Sequence, residues 1–235
     1  MKYMEKGNLQ YNLPEIRNNS WRNRTQYLWE LCLGLASAHL NEIIHCDLHS
    51  GNVLVGYIHE DDSTFSLVAD FGLSKIANKS VSLQKGSYGV IPYMAPELFK
   101  GQPHSKATDI YALGIIMWEL SSGEPAFSNR KHGIHLIIDI CNGLRPPIVE
   151  GTPNCWIQLM KQCWDANPEN RPTAKQISNE VHDWYWRKLN ADEFENADKY
   201  RQPHSNAHLP NQVHVHSNAV YHSRFIPCLM KSTAA

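Results

Sequence analysis

The stretch His45-Cys46-Asp47-Leu48-His49-Ser50-Gly51-Asn52 decides how this chain is read. It lies between two short apolar runs, Ile43-Ile44 and Val53-Leu54-Val55, which suit strands with a functional loop between them. Asp47 offers a carboxylate, and Asn52, across a tight Ser-Gly turn, can fold back to offer its side-chain oxygen. That pair suits phosphoryl transfer, which needs one carboxylate for the attacking hydroxyl and oxygen ligands for Mg²⁺. Loops capped by Asp and Asn are also common without any chemistry, so the stretch needs company.

Company comes just downstream. Asp70-Phe71-Gly72 directly follows the apolar run Leu67-Val68-Ala69. A carboxylate at the end of a buried strand is placed to hold Mg²⁺ against phosphates. Gly72 permits a sharp turn, and Phe71 can anchor it. Upstream, Tyr27, Leu28, Leu31, Cys32, Leu35 and Ala38 recur at three- and four-residue steps, predicting a buried amphipathic helix over 21–39. Residues 1–18 read as an extended entry and a loop around Gly7, Asn8 and Pro14, and residues 74–92 as an aperiodic loop. The run 109–120 is apolar all round, so that helix belongs inside the domain. Further helices are predicted at 132–142, 154–164 and 173–188. The fold class is therefore mainly α with a few short β-strands. Beyond about residue 190, Asn, His, Ser and Pro dominate, predicting a disordered polar tail over 190–235 with no metal site among its histidines.

Taken in order, these segments resemble the eukaryotic protein-kinase signature set, specifically its C-terminal lobe. The elements are the loop at 45–52, Asp70-Phe71-Gly72, and Ala95-Pro96-Glu97. Asp109 through Gly114 resembles the start of the buried central helix, and Cys163-Trp164-Asp165 through Asn170-Arg171-Pro172-Thr173 a late helix junction. Met1 through Leu9 resembles the hinge between lobes, so the likeness covers residues 1–189. It implies a protein kinase using ATP and Mg²⁺ on a protein substrate. Asp47 would be the catalytic base, with Asn52 and Asp70 as metal ligands. Backbone groups of Lys2 and Met4 would bind adenine over Leu54. Glu97 would pair with Arg171, and Asp109 would cap its helix and brace the loop around His45.

The departures from the pattern are informative. Cys46 replaces the arginine that in the family binds a phosphorylated activation loop, which argues against that control here. His49 stands where Ser/Thr kinases carry a lysine that contacts the transferring phosphate, so it is counted with the catalytic group. Val90 replaces a threonine that touches the catalytic aspartate. The segment from Gly89 to Glu97 nevertheless resembles tyrosine-kinase-like Ser/Thr enzymes more than tyrosine kinases. No Gly-rich phosphate loop and no Val-Ala-Ile-Lys-like segment occurs in the 235 residues. The expectation is a C-lobe entered at the hinge with its N-lobe absent, inactive alone. Phe71, Tyr3 and Met4 would then be exposed to aggregation or to a partner covering the N-lobe-facing surface. Two other classes compete. One is a non-catalytic kinase lobe kept as a scaffold, which would have no need of Asp47, Asn52 and Asp70. The other is a small-molecule phosphotransferase, which lacks the Ala-Pro-Glu and Arg171 elements.

Charge and composition narrow the partners. With 22 basic and 23 acidic residues, nothing draws the chain electrostatically to nucleic acid or an anionic membrane. No stretch approaches the ~20 apolar residues of a membrane span, and the first ten residues lack a signal-peptide core. The six cysteines are scattered without a Cys-x-x-Cys pair. That pattern predicts reduced thiols in an intracellular, cytoplasmic protein.

Overall fold

The computed structural model describes residues 5–58, 63–77, 85–205 and 215–229. The chain opens with helix α1 (Leu9–Ile16) and the long α2 (Trp21–Leu40). Short strands follow: β1 (Ile43–Ile44), β2 (Val53–Ile58), β3 (Ser63–Val68), β4 (Lys75–Ile76) and β5 (Gly86–Gly89). Helices α3 (Pro96–Phe99), α4 (Lys106–Ser122), α5 (Ile134–Cys141), α6 (Asn154–Cys163), α7 (Ala174–Trp186) and α8 (Ala191–Ser205) come next, before β6 (Arg224–Pro227). The fold is mainly α with a few short strands, as the sequence predicts.

The strands form antiparallel pairs: β1 with β4, β2 with β3, and β5 with β6. In the β2–β3 pair Val53 faces Val68, which returns the chain to Asp70 beside the loop that precedes β2. Helix α4 sits at the centre, with every residue from Thr108 to Ser122 buried. Helix α6 packs closely enough on it that a Cβ at Gly114 would lie 2.9 Å from that of Cys163. Cys32 and Cys163 are buried thiols in this core, and Cys46 is buried in the loop ahead of β2.

Three expectations need correction. Residues 9–16 are helical, not a loop. Asn8 caps α1 by accepting the Tyr11 N–H, and Leu9, Asn12, Leu13 and Ile16 turn one face into the core. Pro14 forfeits one hydrogen bond inside that helix, which burial of the apolar face outweighs. Within the expected loop 74–92, residues 75–76 and 86–89 are strands, while 78–84 lie outside the described residues.

The described part of 190–235 is ordered, not a disordered tail. Helix α8 has few apolar residues, but the groups at steps of three and four all find partners. Phe194 meets the rings of Trp184 and Trp21, at 5.7 and 6.4 Å. Ala197 is buried, Asp198 accepts the Trp21 N–H at 2.9 Å, and Arg201 donates to Ser121 O at 3.0 Å. The tryptophans of α2, α6 and α7 thus supply the apolar surface that the tail lacks. Beyond it, β6 is ordered by pairing with β5.

Candidate functional site

The loop holding Asp47 is fixed from beneath by a single carboxylate. Asp109 Oδ2 accepts the His45 N–H at 2.8 Å and the His39 Nε2 bond at 2.9 Å, while Oδ1 accepts the Cys46 N–H at 3.1 Å. These bonds hold Cys46 at φ 69, a left-handed conformation uncommon for a residue with a side chain. Asp109 braces the loop as expected, but it does not cap its helix. The N-cap of α4 is Ser105, whose N–H goes to Thr108 Oγ1 at 3.2 Å.

Above that brace, His45 Nδ1 accepts the Asp47 N–H at 3.3 Å, so Nε2 carries the ring proton and donates to Ala69 O at 2.9 Å. The same ring packs 4.7 Å from Phe71. One histidine therefore joins the Asp47 loop to the Asp70 turn. A second tie is the Ala69 N–H to Asn52 O bond, at 2.9 Å. Asn52 turns its amide nitrogen to Asp47 O at 3.0 Å, which directs its side-chain oxygen elsewhere. Asp70 is left-handed (φ 59), with Oδ1 accepting the Gly72 N–H at 3.2 Å.

Burial raises the Asp47 carboxyl to about 6, against the lowering influence of the Ser223 hydroxyl, His45 and Asn52; the Asp70 charge adds to the rise. His49 lies 3.8 Å from Asp47, Nε2 to Oδ2. Its Nδ1 accepts the Gly51 N–H, so Nε2 bears the proton, and burial pushes the ring down to about 4. It is therefore a neutral imidazole at physiological pH, not a substitute cation. Burial drives the Cys46 thiol up to about 12, so this position offers no charge for a phosphate.

Leu54 is half-buried on β2, bridged to Asn8. Lys2 and Met4, like Tyr3, lie outside the described residues. Phe71 is 39% exposed, on the face expected to be open. Glu97 and Arg171 form the expected pair, at 2.6 and 2.9 Å through the two terminal guanidinium nitrogens.

Sequence reading missed one network. Tyr93 OH donates to Glu119 Oε1 at 2.6 Å and accepts from Ser50 Oγ at 2.9 Å, which ties the Asp47 loop to α4. Glu119 also accepts the Ala126 N–H at 2.9 Å, and burial raises its acid to about 7. The available signal was a carboxylate following the apolar run from Ile110 to Trp118 of a buried helix.

Donor chemistry fits Mg²⁺ here. Among the described residues Asp70 Oδ2 has no hydrogen bond, and an amide oxygen together with a carboxylate is the hard-ligand set that Mg²⁺ takes alongside phosphate oxygens. Among the described residues no cluster of three His, Cys, Asp or Glu side chains forms a metal site, so phosphate oxygens would have to complete the coordination.

The protein kinase domain family matches residues 1–185. Among curated relatives, dual specificity protein kinase zakA of Dictyostelium discoideum is 33% identical over 184 residues, 73% of this chain and 23% of that protein. Mitogen-activated protein kinase kinase kinase 12 of Rattus norvegicus is 34% identical over 145 residues, 61% of this chain and 16% of that protein. Dual specificity protein kinase splA of D. discoideum is 35% identical over 143 residues, 57% and 6% respectively. The chain thus spans less than a quarter of the length of these relatives. On its ordered motifs, its mainly helical lobe and this match, the chain belongs to the protein kinase domain family.

Proposed function

We propose that this chain carries the catalytic half of a kinase that moves the γ-phosphoryl group of ATP to serine or threonine hydroxyls of proteins. The observation that carries this reading is the joining of Asp47, Asn52 and Asp70 through His45 and the Ala69–Asn52 bond. Asp47 orients the acceptor hydroxyl and takes its proton. Its carboxyl, raised to about 6, is ionised yet basic enough for that task at neutral pH. Asn52 and Asp70 would hold Mg²⁺, which when bound neutralises charge on the triphosphate. Neutral His49 offers an N–H donor at Nε2, 3.8 Å from Asp47 Oδ2, and adds no positive charge. Leu54 packs under adenine, and the backbone of Lys2 and Met4 binds its edge. The preference for serine and threonine is supported by the segment from Gly89 to Glu97, with Val90 buried beside Asp47. With no phosphate-gripping lysine of the N-lobe type in the sequence, the 235 residues alone transfer phosphate slowly. We place the protein in the cytoplasm, consistent with its six free cysteines; no helix of the described residues is long and apolar enough to cross a membrane.

The test joins this chain to a kinase N-lobe and titrates Mg²⁺ at fixed ATP and protein substrate. Asn52→Ala and Asp70→Ala should each raise the Mg²⁺ needed for half-maximal rate, and phosphoamino-acid analysis should give phosphoserine or phosphothreonine. An unchanged Mg²⁺ requirement in both variants would overturn the ligand assignment, and phosphotyrosine as the main product would overturn the preference.

A further inference from the structure

The end of the described chain returns to the site. β6 runs antiparallel to β5, with Ser87 opposite Ile226 and Gly89 opposite Arg224. Backbone bonds continue the pairing: the Cys228 N–H reaches Lys85 O at 3.1 Å and the Leu229 N–H reaches Phe99 O at 2.8 Å. Ile226 is buried in the core, and Arg224 donates to His132 O at 2.6 Å. On the other flank, Tyr221 OH donates to Ala126 O at 2.9 Å, and its ring meets His132 edge-on at 4.8 Å. His132 Nδ1 accepts the Val220 N–H at 3.0 Å.

Between these two anchors lies Ser223. Its hydroxyl oxygen is buried with no hydrogen-bond partner among the described residues, and the register that sets Arg224 opposite Gly89 carries Ser223 towards Val90, which lines one pocket with Asp47. A buried hydroxyl without a formed bond is costly for a purely structural contact. Next in the strand to the pocket that Asp47 lines, it has the placement of an acceptor. Gly86 is an independent sign that the strand belongs there: a Cβ at that position would come within 2.5 Å of Ile226 O. Only glycine lets the two backbones approach so closely.

We propose that residues 220–229 occupy the acceptor groove of their own chain, with Ser223 as a serine phosphorylated in cis. This rests on the kinase reading above, and the donor is a nucleoside triphosphate. Ser223 Oγ forms a bond to the γ-phosphorus while the bond from that phosphorus to the β,γ-bridging oxygen breaks. The electron pair leaves with the nucleoside diphosphate, and the hydroxyl proton passes to Asp47. The product then carries close to two negative charges beside the Asp47 and Asp70 carboxylates. Like-charge repulsion and lost burial release the strand, and the groove opens to extended protein substrates that pair with β5 in its place.

Docking and chemistry are tested separately. On the 235-residue chain, hydrogen exchange reads docking with no activity required. The amides of 224–226, 228 and 229 should be protected, and Gly86→Val should speed their exchange by about tenfold or more while α4 amides hold. Equal exchange in both chains would overturn the docking. Chemistry is read with the chain joined to a kinase N-lobe, in Mg²⁺ and ATP, by phosphopeptide mapping. Phosphate should appear at Ser223, at a fractional rate unchanged over about a hundredfold dilution, and should disappear from that peptide in Ser223→Ala. An added protein substrate labelled while Ser223 is not would overturn the acceptor role and leave the kinase reading standing. Labelling of Ser223 that slows on dilution would overturn the cis step. Transfer to no acceptor at all would overturn both the kinase reading and this one.

Discussion

Replacing Arg171 by alanine should unfold this lobe far more readily than most single substitutions. The guanidinium is fully enclosed, while Glu97 keeps 13% of its side chain exposed. Arg171 meets both Glu97 oxygens, at 2.6 and 2.9 Å, and donates to Ala107 O at 2.9 Å and Asp165 O at 3.0 Å. It thus pins α3 to the start of α4 and to the turn after α6. Removing one member of a buried pair costs ~3–5 kcal/mol, because the other charge stays behind unpaired. The residual exposure of Glu97 lets some water reach it and places the value in the lower part of that range. The two orphaned carbonyls add about 1 kcal/mol. We therefore expect ~4–5 kcal/mol in urea melts, which is a Tm drop of roughly 8–20 °C for a chain of this size. The double variant Glu97→Leu/Arg171→Met removes both charges and should be more stable than Arg171→Ala alone. A single variant within about 1 kcal/mol of the parent, or a double variant as unstable as both losses added, would refute this account.

Two further outcomes follow from buried groups. Glu119 holds its proton to about 7 in the folded chain, above its ordinary 4.5, so the folded state binds more protons in that window. The contribution of this carboxyl to stability should therefore fall by roughly 3 kcal/mol as pH rises through it, and Glu119→Gln should remove that part of the slope. Asp47, raised to about 6, acts in the same direction, and His49, lowered to about 4, opposes it over nearly the same window, so those two offset. Denaturant midpoints for parent and Glu119→Gln that run parallel from pH 4.5 to 8 would contradict this. Separately, Phe194→Ala should cost roughly 2 kcal/mol and loosen α8 in preference to α4. Hydrogen exchange on α8 that is no faster than in the parent would show that its docking does not depend on the tryptophan cluster.

What the sequence revealed and what it concealed divide along physical lines. Asp47, Asn52 and Asp70 stood out because polar groups interrupt short apolar runs at fixed steps, and α4 because it is apolar on every side. The pairing of Glu97 with Arg171 was legible only through the family resemblance, since the two lie 74 residues apart with no local signal joining them. Helix α1 was hidden by Pro14, a local signal that burial of Leu9, Leu13 and Ile16 overrides. Helix α8 was hidden because its apolar partners, Trp21 and Trp184, sit on other elements far away in sequence. The Ser50–Tyr93–Glu119 network and the pairing of β6 with β5 are long-range contacts with no local period. Asp109 was rightly read as the brace and wrongly as the cap, because Ser105 supplies the cap just ahead of it.

The most direct test of the account is the turnover of Mg²⁺-ATP with a protein substrate by this chain joined to a kinase N-lobe, compared with its Asp47→Asn variant and with the 235 residues alone. Loss of a positioned base removes ~10²–10⁴-fold in rate. The account predicts that Asp47→Asn falls by that factor while its melting profile stays close to the parent's, and that the chain alone is far slower than the joined form. Equal turnover by the joined parent and Asp47→Asn, or by the chain with and without the N-lobe, would contradict it.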